Sequence, residues 1–410
     1  MPVIFVHGVN NRKEDAGYDA GVALTRKFLQ RYLEGAQING KTLHAVDVAF
    51  PYWGGLATTF AWNMASLPPS TDRLGASLPH SADFLIHEIA MALAADPLAD
   101  QPLLALARQD FRHAVLVLSE VILLTAKPDN VEQAASLAAS IQLYADHHNA
   151  PAWLQDVGND VQFFSRLATE VAGPSPLEPA AIDHLGAIGG LAKDTRNLLV
   201  STGIGIKQAL SKVTGFAIDY AGDYASTRLL ASSRRALNGV VGRFFGDVFV
   251  YLHERGDASE PGPIPALLIA AIEDAIARNR PGEPLVIIGH SLGGVVAFDL
   301  LSHFRPDLQV DLLLSVGSQI SHFEEIKRFK GSDPHIPANG VALAPTPGNI
   351  RHWINVYDEV DVFSYACKRV FDRVSDHAYD THTHTLKSHG AYFMQNQFYE
   401  NLRGWLKELT

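Results

Sequence analysis

Apolar residues form short unbroken runs at the start of the chain and again after residue 280: VIFV at 3–6, LVIIG at 285–289, DLLLSV at 311–316 and HWINVY at 352–357. Runs of this length without polar alternation fit strands buried on both faces, as in a parallel sheet. Between them the spacing changes to a helical period. In EDAGYDAGVALTRKFLQRYLEG (14–35), Val22, Leu24, Phe28, Leu29 and Leu33 follow that period until Gly35. TLHAVDVAF (42–50) reads as the next strand, cut by Pro51. PIPALLIAAIEDAIARNRPGE (263–283) reads as a helix with Leu268, Ile272 and Ile276 on one face, stopped by Pro281-Gly282. GGVVAFDLLSHF (293–304) and QNQFYENLRGWLKEL (395–409) are the other late helices, the latter turning Phe398, Leu402, Trp405 and Leu409 inward. Strands alternating with helices predict an α/β fold with a mostly parallel central sheet flanked by helices.

The middle of the chain differs. From 56 to 240 it is rich in Ala and Leu, with helical runs at 84–94, 112–126, 131–147, 160–171 and 206–230 and proline-containing breaks at 68–69, 128 and 174–179. The expected organisation is a discontinuous core, 1–55 and 241–410, interrupted by a mostly helical insertion, 56–240, that serves as a cap. AVLVLSEVILLTA (114–126) carries Glu120 at its centre and reads as a buried helix of that insertion.

Bulk properties narrow the function. The 410 residues are 47% hydrophobic and 19% charged, a globular composition with ample mass for a core. The net charge of −11 disfavours nucleic acid and anionic membranes as general partners. Cys367 is the sole cysteine, so no disulfide forms within the chain. The first twenty residues lack the basic start and apolar stretch of a signal peptide. The longest uncharged run, Val48–Thr71, is broken by Pro51, Pro68 and Pro69 and does not read as a membrane span. The expected location is the cytoplasm.

The chemistry concentrates in LVIIGHSLGGVVAFDLL. Here Ser291 lies between a buried strand and a helix, with Gly289 and His290 before it and Leu292 and Gly293 after it. A serine on such a sharp turn is exposed as a nucleophile, and the Leu292 NH points at it from the helix start. Acyl transfer needs a second NH for the oxyanion, supplied by the loop after an earlier strand. FVHGVNN, with His7 and Gly8, is that strand end; Val9 is the preferred donor and Asn10 the second choice. The base is sought among 18 histidines. His389 in LKSHGAYF precedes the last helix, in a turn-forming stretch suited to a base; His377, His382 and His384 read as surface residues. For the orienting acid, NVYDEVD ends a strand with Asp358 and Asp361, and Glu359 between them reads as solvated. His382 and His384 stand two apart, but this spacing is not read as a metal site.

FVHGVN, GHSLGG, NVYDEVD and SHGAYF, in that order, resemble the α/β-hydrolase superfamily and, within it, the bacterial serine-esterase and lipase-like branch. The resemblance covers 2–54 and 240–410. It implies an Asn and an Asp after a short spacer, then a Ser-His pair before Tyr. Asn355, Asp361, Ser388-His389 and Tyr392 fit that pattern, which favours Asp361 over Asp358. RFFGDVFVYLHER (243–255) is similar to the segment before the nucleophile strand, with Asp247 in a structural role. The insertion at 56–240 is longer than the branch's usual lid.

The expectation is therefore a serine hydrolase cleaving a small-molecule or lipid carboxylic ester through Ser291, His389 and Asp361, with no cofactor and no metal. Peptidases and thioesterases use the same triad. The alternative reading is a partner-activated hydrolase or interaction protein, with the helical insertion as a docking platform for a protein. Peripheral contact with a lipid surface stays open to either.

Overall fold

The computed structural model describes residues 2–44, 47–66, 101–124, 126–172, 227–280, 282–383 and 385–409. The expected helix at 84–94 and most of that at 206–230 lie outside these residues, as does His384. The chain divides into two compact units, one of Met1–Lys13, Phe28–Pro68 and Leu237–Thr410, the other of Glu14–Lys27 and Pro69–Ala236.

The first unit holds a six-stranded sheet and two short hairpins, β2 (Gln37–Ile38) with β3 (Lys41–Thr42) and β5 (Gly256–Asp257) with β6 (Glu260–Pro261). The strands of the sheet are β1 (Pro2–Val6), β4 (Asp47–Ala49), β7 (Val286–His290), β8 (Val310–Val316), β9 (Ile350–Tyr357) and β10 (Ser375–Ala378), in the order β10-β9-β8-β7-β1-β4. Every neighbouring pair is parallel. The central strands are apolar throughout because helices cover both faces. On one face Ile4, Val6, Ile287, Leu313 and Trp353 pack with Leu268 and Ile272 of the helix Pro263–Ala277 and with Val295, Val296 and Phe298 of the helix Leu292–Asp299. Phe5 points the other way, edge-on to Phe393 with ring centroids 4.7 Å apart.

From β1 the chain passes through the helix Tyr18–Leu33 to β4 on one side, and from β7 through Leu292–Asp299 to β8 on the other. Strand order therefore reverses between β1 and β7. The carboxyl ends of strands at such a reversal are the usual place for chemistry in open α/β sheets.

Several boundaries differ from expectation, each for a local reason. The expected strand 42–50 is split. Asn39-Gly40, with φ of 55° and 69°, folds β2 (Gln37–Ile38) back on β3 (Lys41–Thr42), and only Asp47–Ala49 joins the sheet. The helix from Pro263 ends at Ala277; Leu268 and Ile272 are buried but Ile276 is exposed. In the last helix (Asn396–Leu406), Leu402 and Leu406 are buried while Trp405 is half-buried, stacked on His377 at 4.7 Å. Residue 240 lies inside the uninterrupted helix Thr227–Glu254.

In the second unit the described residues include the helices Pro102–Gln109, Phe111–Leu124, Val131–His147 and Asp160–Ala172. They share a core of Leu103, Phe111, Val115, Leu118, Ile122, Ile141, Trp153, Phe163 and Leu167. Of the expected buried helix at 114–126, residues 114–124 lie in the largely buried helix Phe111–Leu124, and Ala126 lies beyond its end. The Asp160 carboxylate caps the first of these helices, accepting from the NH groups of Leu103 at 3.4 Å and Leu104 at 2.8 Å. No helix among the described residues is long and apolar enough to cross a membrane.

Candidate active site

Ser291 occupies the turn from β7 into the helix Leu292–Asp299 with φ 54° and ψ −131°. An L-residue held there stores about 1–3 kcal/mol of strain, which the surroundings must over-determine. They do so. The Ser291 NH donates to Val316 O at 3.0 Å, and Ser318 Oγ and the Gly294 NH donate to Ser291 O at 2.9 and 3.0 Å. Close packing needs the flanking glycines. A Cβ on Gly289 would stand 2.4 Å from Gly294 Cα, and one on Gly293 would stand 2.2 Å from Val6 O. Gly8 lies against the serine itself, where a Cβ would come within 2.6 Å of Ser291 Cβ. The glycine at the end of the first strand is thus explained by backbone pressed onto Ser291.

His7 is structural. Its ring stacks on Trp53 at 4.7 Å, its Nδ1 lies 2.8 Å from Gly8 O, and its Nε2 accepts from the Trp53 NH at 3.1 Å. Those partners assign the proton to Nδ1. Burial pushes its pKa down to about 4.

Val9 and Leu292 are the two residues expected to offer a backbone NH beside Ser291. Among the described residues neither NH has an acceptor, and Leu292 opens a helix, where an NH has no intrahelical partner. Asn10, the second choice, is not available: its NH donates to Asp247 Oδ2 at 2.9 Å. Asp247 is fully buried and holds the whole loop, also accepting from Arg12 Nη2 at 2.7 Å and the Thr58 NH at 3.0 Å. Its structural role follows from these bonds. The composition gave no sign that Arg12 would be its partner.

The other chemical groups converge on Ser291. His389 sits in the short helix Thr385–Ala391, not in the turn its flanking residues suggested. Its Nε2 lies 2.7 Å from Ser291 Oγ, and its Nδ1 lies 2.9 Å from Asp361 Oδ2. A carboxylate oxygen accepts, so His389 donates through Nδ1 and its Nε2 is placed to accept a hydrogen bond from the serine hydroxyl. The Asp361 side chain is wholly buried. Phe363 NH donates to its Oδ1 and Tyr392 Oη to its Oδ2, both at 2.9 Å.

Asp358 is turned elsewhere. Its Oδ1 accepts from the Val360 NH at 2.9 Å, and its Oδ2 accepts from the Thr381 NH at 2.9 Å and Thr381 Oγ1 at 2.6 Å. It anchors the segment leading to the base and does not touch His389. His290 is a further brace that the spacing alone did not assign. Its Nε2 lies 2.7 Å from His389 O, and burial, then the adjacent His389, push its pKa down to about 3. Phe363 and Phe244 stand edge-on to the His389 ring at centroid distances of 5.2 and 6.5 Å. Ser388 and Asn355 are buried, the latter donating to Asp376 Oδ1 at 2.9 Å beneath the acid loop.

His377 and His382 stay out of this group, and His382 is exposed beside Asp380. No cluster of three or more His, Cys, Asp or Glu among the described residues is arranged to hold a metal ion. Compared with known proteins, the chain matches no family model, no curated protein and no solved structure.

Proposed function

We propose that the protein is a serine hydrolase of the α/β-hydrolase type, cleaving a carboxylic ester through an acyl-enzyme. The observation that carries the reading is the unbroken hydrogen-bonded chain Ser291 Oγ, His389 and Asp361, with links of 2.7 and 2.9 Å. It lies at the carboxyl end of a parallel sheet beside two backbone NH groups without acceptors among the described residues.

Each group has one task. Ser291 Oγ attacks the acyl carbon as His389 Nε2 takes its proton. Asp361 keeps the ring oriented and stabilises the imidazolium. The Val9 and Leu292 NH groups receive the oxyanion as charge develops on it; losing one such donor costs about 3–4 kcal/mol of transition-state stabilisation. The imidazolium then gives its proton to the departing alcohol. Water, activated by the same nitrogen, attacks the acyl-Ser291, and the serine recovers its proton as the acid leaves. The apolar rings of Phe244 and Phe363 beside the base favour an ester whose groups are hydrocarbon over a charged substrate.

Labelling with a fluorophosphonate, read by intact mass, tests this directly. Wild type takes up one adduct and Ser291→Ala takes up none with its fold intact. An adduct that persists on Ser291→Ala removes Ser291 as nucleophile. p-Nitrophenyl esters of graded chain length then set the acyl preference.

A further inference from the structure

We propose that Tyr392 is a positioning residue that tunes the base: its hydroxyl, itself held by the Asp358 backbone NH, donates to the same Asp361 oxygen that accepts from His389. The inference rests on the serine-hydrolase reading and adds a fourth group to the Ser291, His389 and Asp361 chain.

Valence fixes the direction of the relay. The Asp358 NH lies 2.9 Å from Tyr392 Oη and can only donate to it. Asp361 Oδ2, 2.9 Å from the same hydroxyl, can only accept. The single phenol proton therefore points at Asp361. The side chain is fully buried, between the rings of Tyr379 and Phe398 at 6.2 and 6.3 Å, so it has no alternative partner in solvent. Burial, and then the charge of Asp361, raise the phenol's pKa well above its ordinary value, so it remains a donor.

Oδ2 thus serves two donors, the phenol and His389 Nδ1. Charge drawn off by the phenol is not available to the imidazolium. Removing the hydroxyl returns that charge, holds the imidazolium more tightly, and moves the acid limb of reactivity to higher pH. A phenol that donates more strongly does the reverse.

The other groups facing this network do not imitate the effect. His290, from the β7 turn, and His7, from the β1 end, are pushed down to about 3 and about 4 by burial, so neither changes charge above those values. From the acid loop, Asp358 is occupied by Thr381 and Val360, and Glu359 is exposed. From the segment after β10, Tyr379 Oη donates to Gln395 Oε1 at 2.7 Å. Phe244 and Phe363 carry no charge. If the phenol is lost, Ser364 Oγ at 3.3 Å remains as an acceptor for the Asp358 NH.

The test is the second-order rate of fluorophosphonate labelling against pH, which needs no knowledge of the natural substrate. Wild type, Tyr392→Phe and the protein carrying 3-fluorotyrosine at 392 are compared. The acid limb of Tyr392→Phe is expected about 0.5 unit above that of wild type, and the fluorinated limb below it. A role confined to packing lowers the plateau and leaves both limbs where wild type has them, which overturns the inference. If Tyr392→Phe does not fold, the nearly isosteric fluorinated protein decides alone. Failure of wild type to label at Ser291 overturns the hydrolase reading instead, so the two failures are distinct.

Discussion

Two buried carboxylates three positions apart divide the labour of the acid loop. Asp361 faces the base, while Asp358 holds Thr381, upstream of the base. Position at the strand end left both open and only the resemblance favoured Asp361, because both follow the same strand; the geometric choice depends on which one meets a ring 28 residues later. Replacing them separates the roles. Asp361→Asn is expected to lower fluorophosphonate labelling by about 10⁴-fold, since an amide stabilises the wrong tautomer of the base. Asp358→Asn leaves the charge at Asp361 in place, so labelling falls far less, while stability drops by about 1–3 kcal/mol as the buried Thr381 bonds are lost. Labelling rates and thermal midpoints of the two variants check this. Ser291 and His389 were legible for a different reason: strand, Gly-x-Ser-x-Gly and helix form one contiguous signal, and a histidine before the last helix follows from chain order. Tyr392 was legible only as part of a resemblance, because a tyrosine's hydroxyl partner is set by packing and leaves no periodic mark.

At the scale of elements, the central strands were legible because burial on both faces forbids polar alternation. The edge strand Ser375–Ala378 was not; its residues are polar and partly exposed, and the sequence SDHA carries no strand pattern. The long helix Thr227–Glu254 was also obscured, since Gly239, Gly242 and Gly246 interrupt its apolar period. Gly246 has a reason: a Cβ there would stand 2.6 Å from the Thr58 side chain, so the glycine lets the helix lie against that segment. One residue later the same helix delivers Asp247 to the loop that carries Val9. Asp247→Asn leaves the buried Arg12 guanidinium uncompensated, which is expected to cost about 3–5 kcal/mol of stability. It also loosens the loop holding the oxyanion donor, so labelling of Ser291 slows even where the protein remains folded. Denaturant titration and labelling on the same sample measure both; unchanged labelling would detach Asp247 from the site.

For the whole molecule, the buried neutral histidines link the fold to acidity. An unfolded chain protonates His7 below about 6.5, whereas the folded protein resists until about 4. The unfolded state therefore binds more protons within that window, and stability falls as pH drops through it. The His7 contribution amounts to about 3 kcal/mol, fully present above the upper value. Thermal midpoints recorded from pH 7 to 4 are expected to fall, with a shallower slope in His7→Gln. One further consequence comes from Gly8 resting on Ser291. On the proposed reading, the groups that make the serine reactive are drawn from residues 8–9, 291–292, 361 and 389, and no short fragment contains them all. A reagent that reacts only with the assembled serine thus counts native molecules: its stoichiometry is a conformational census, able to report the correctly folded fraction in a crude preparation before any substrate is known.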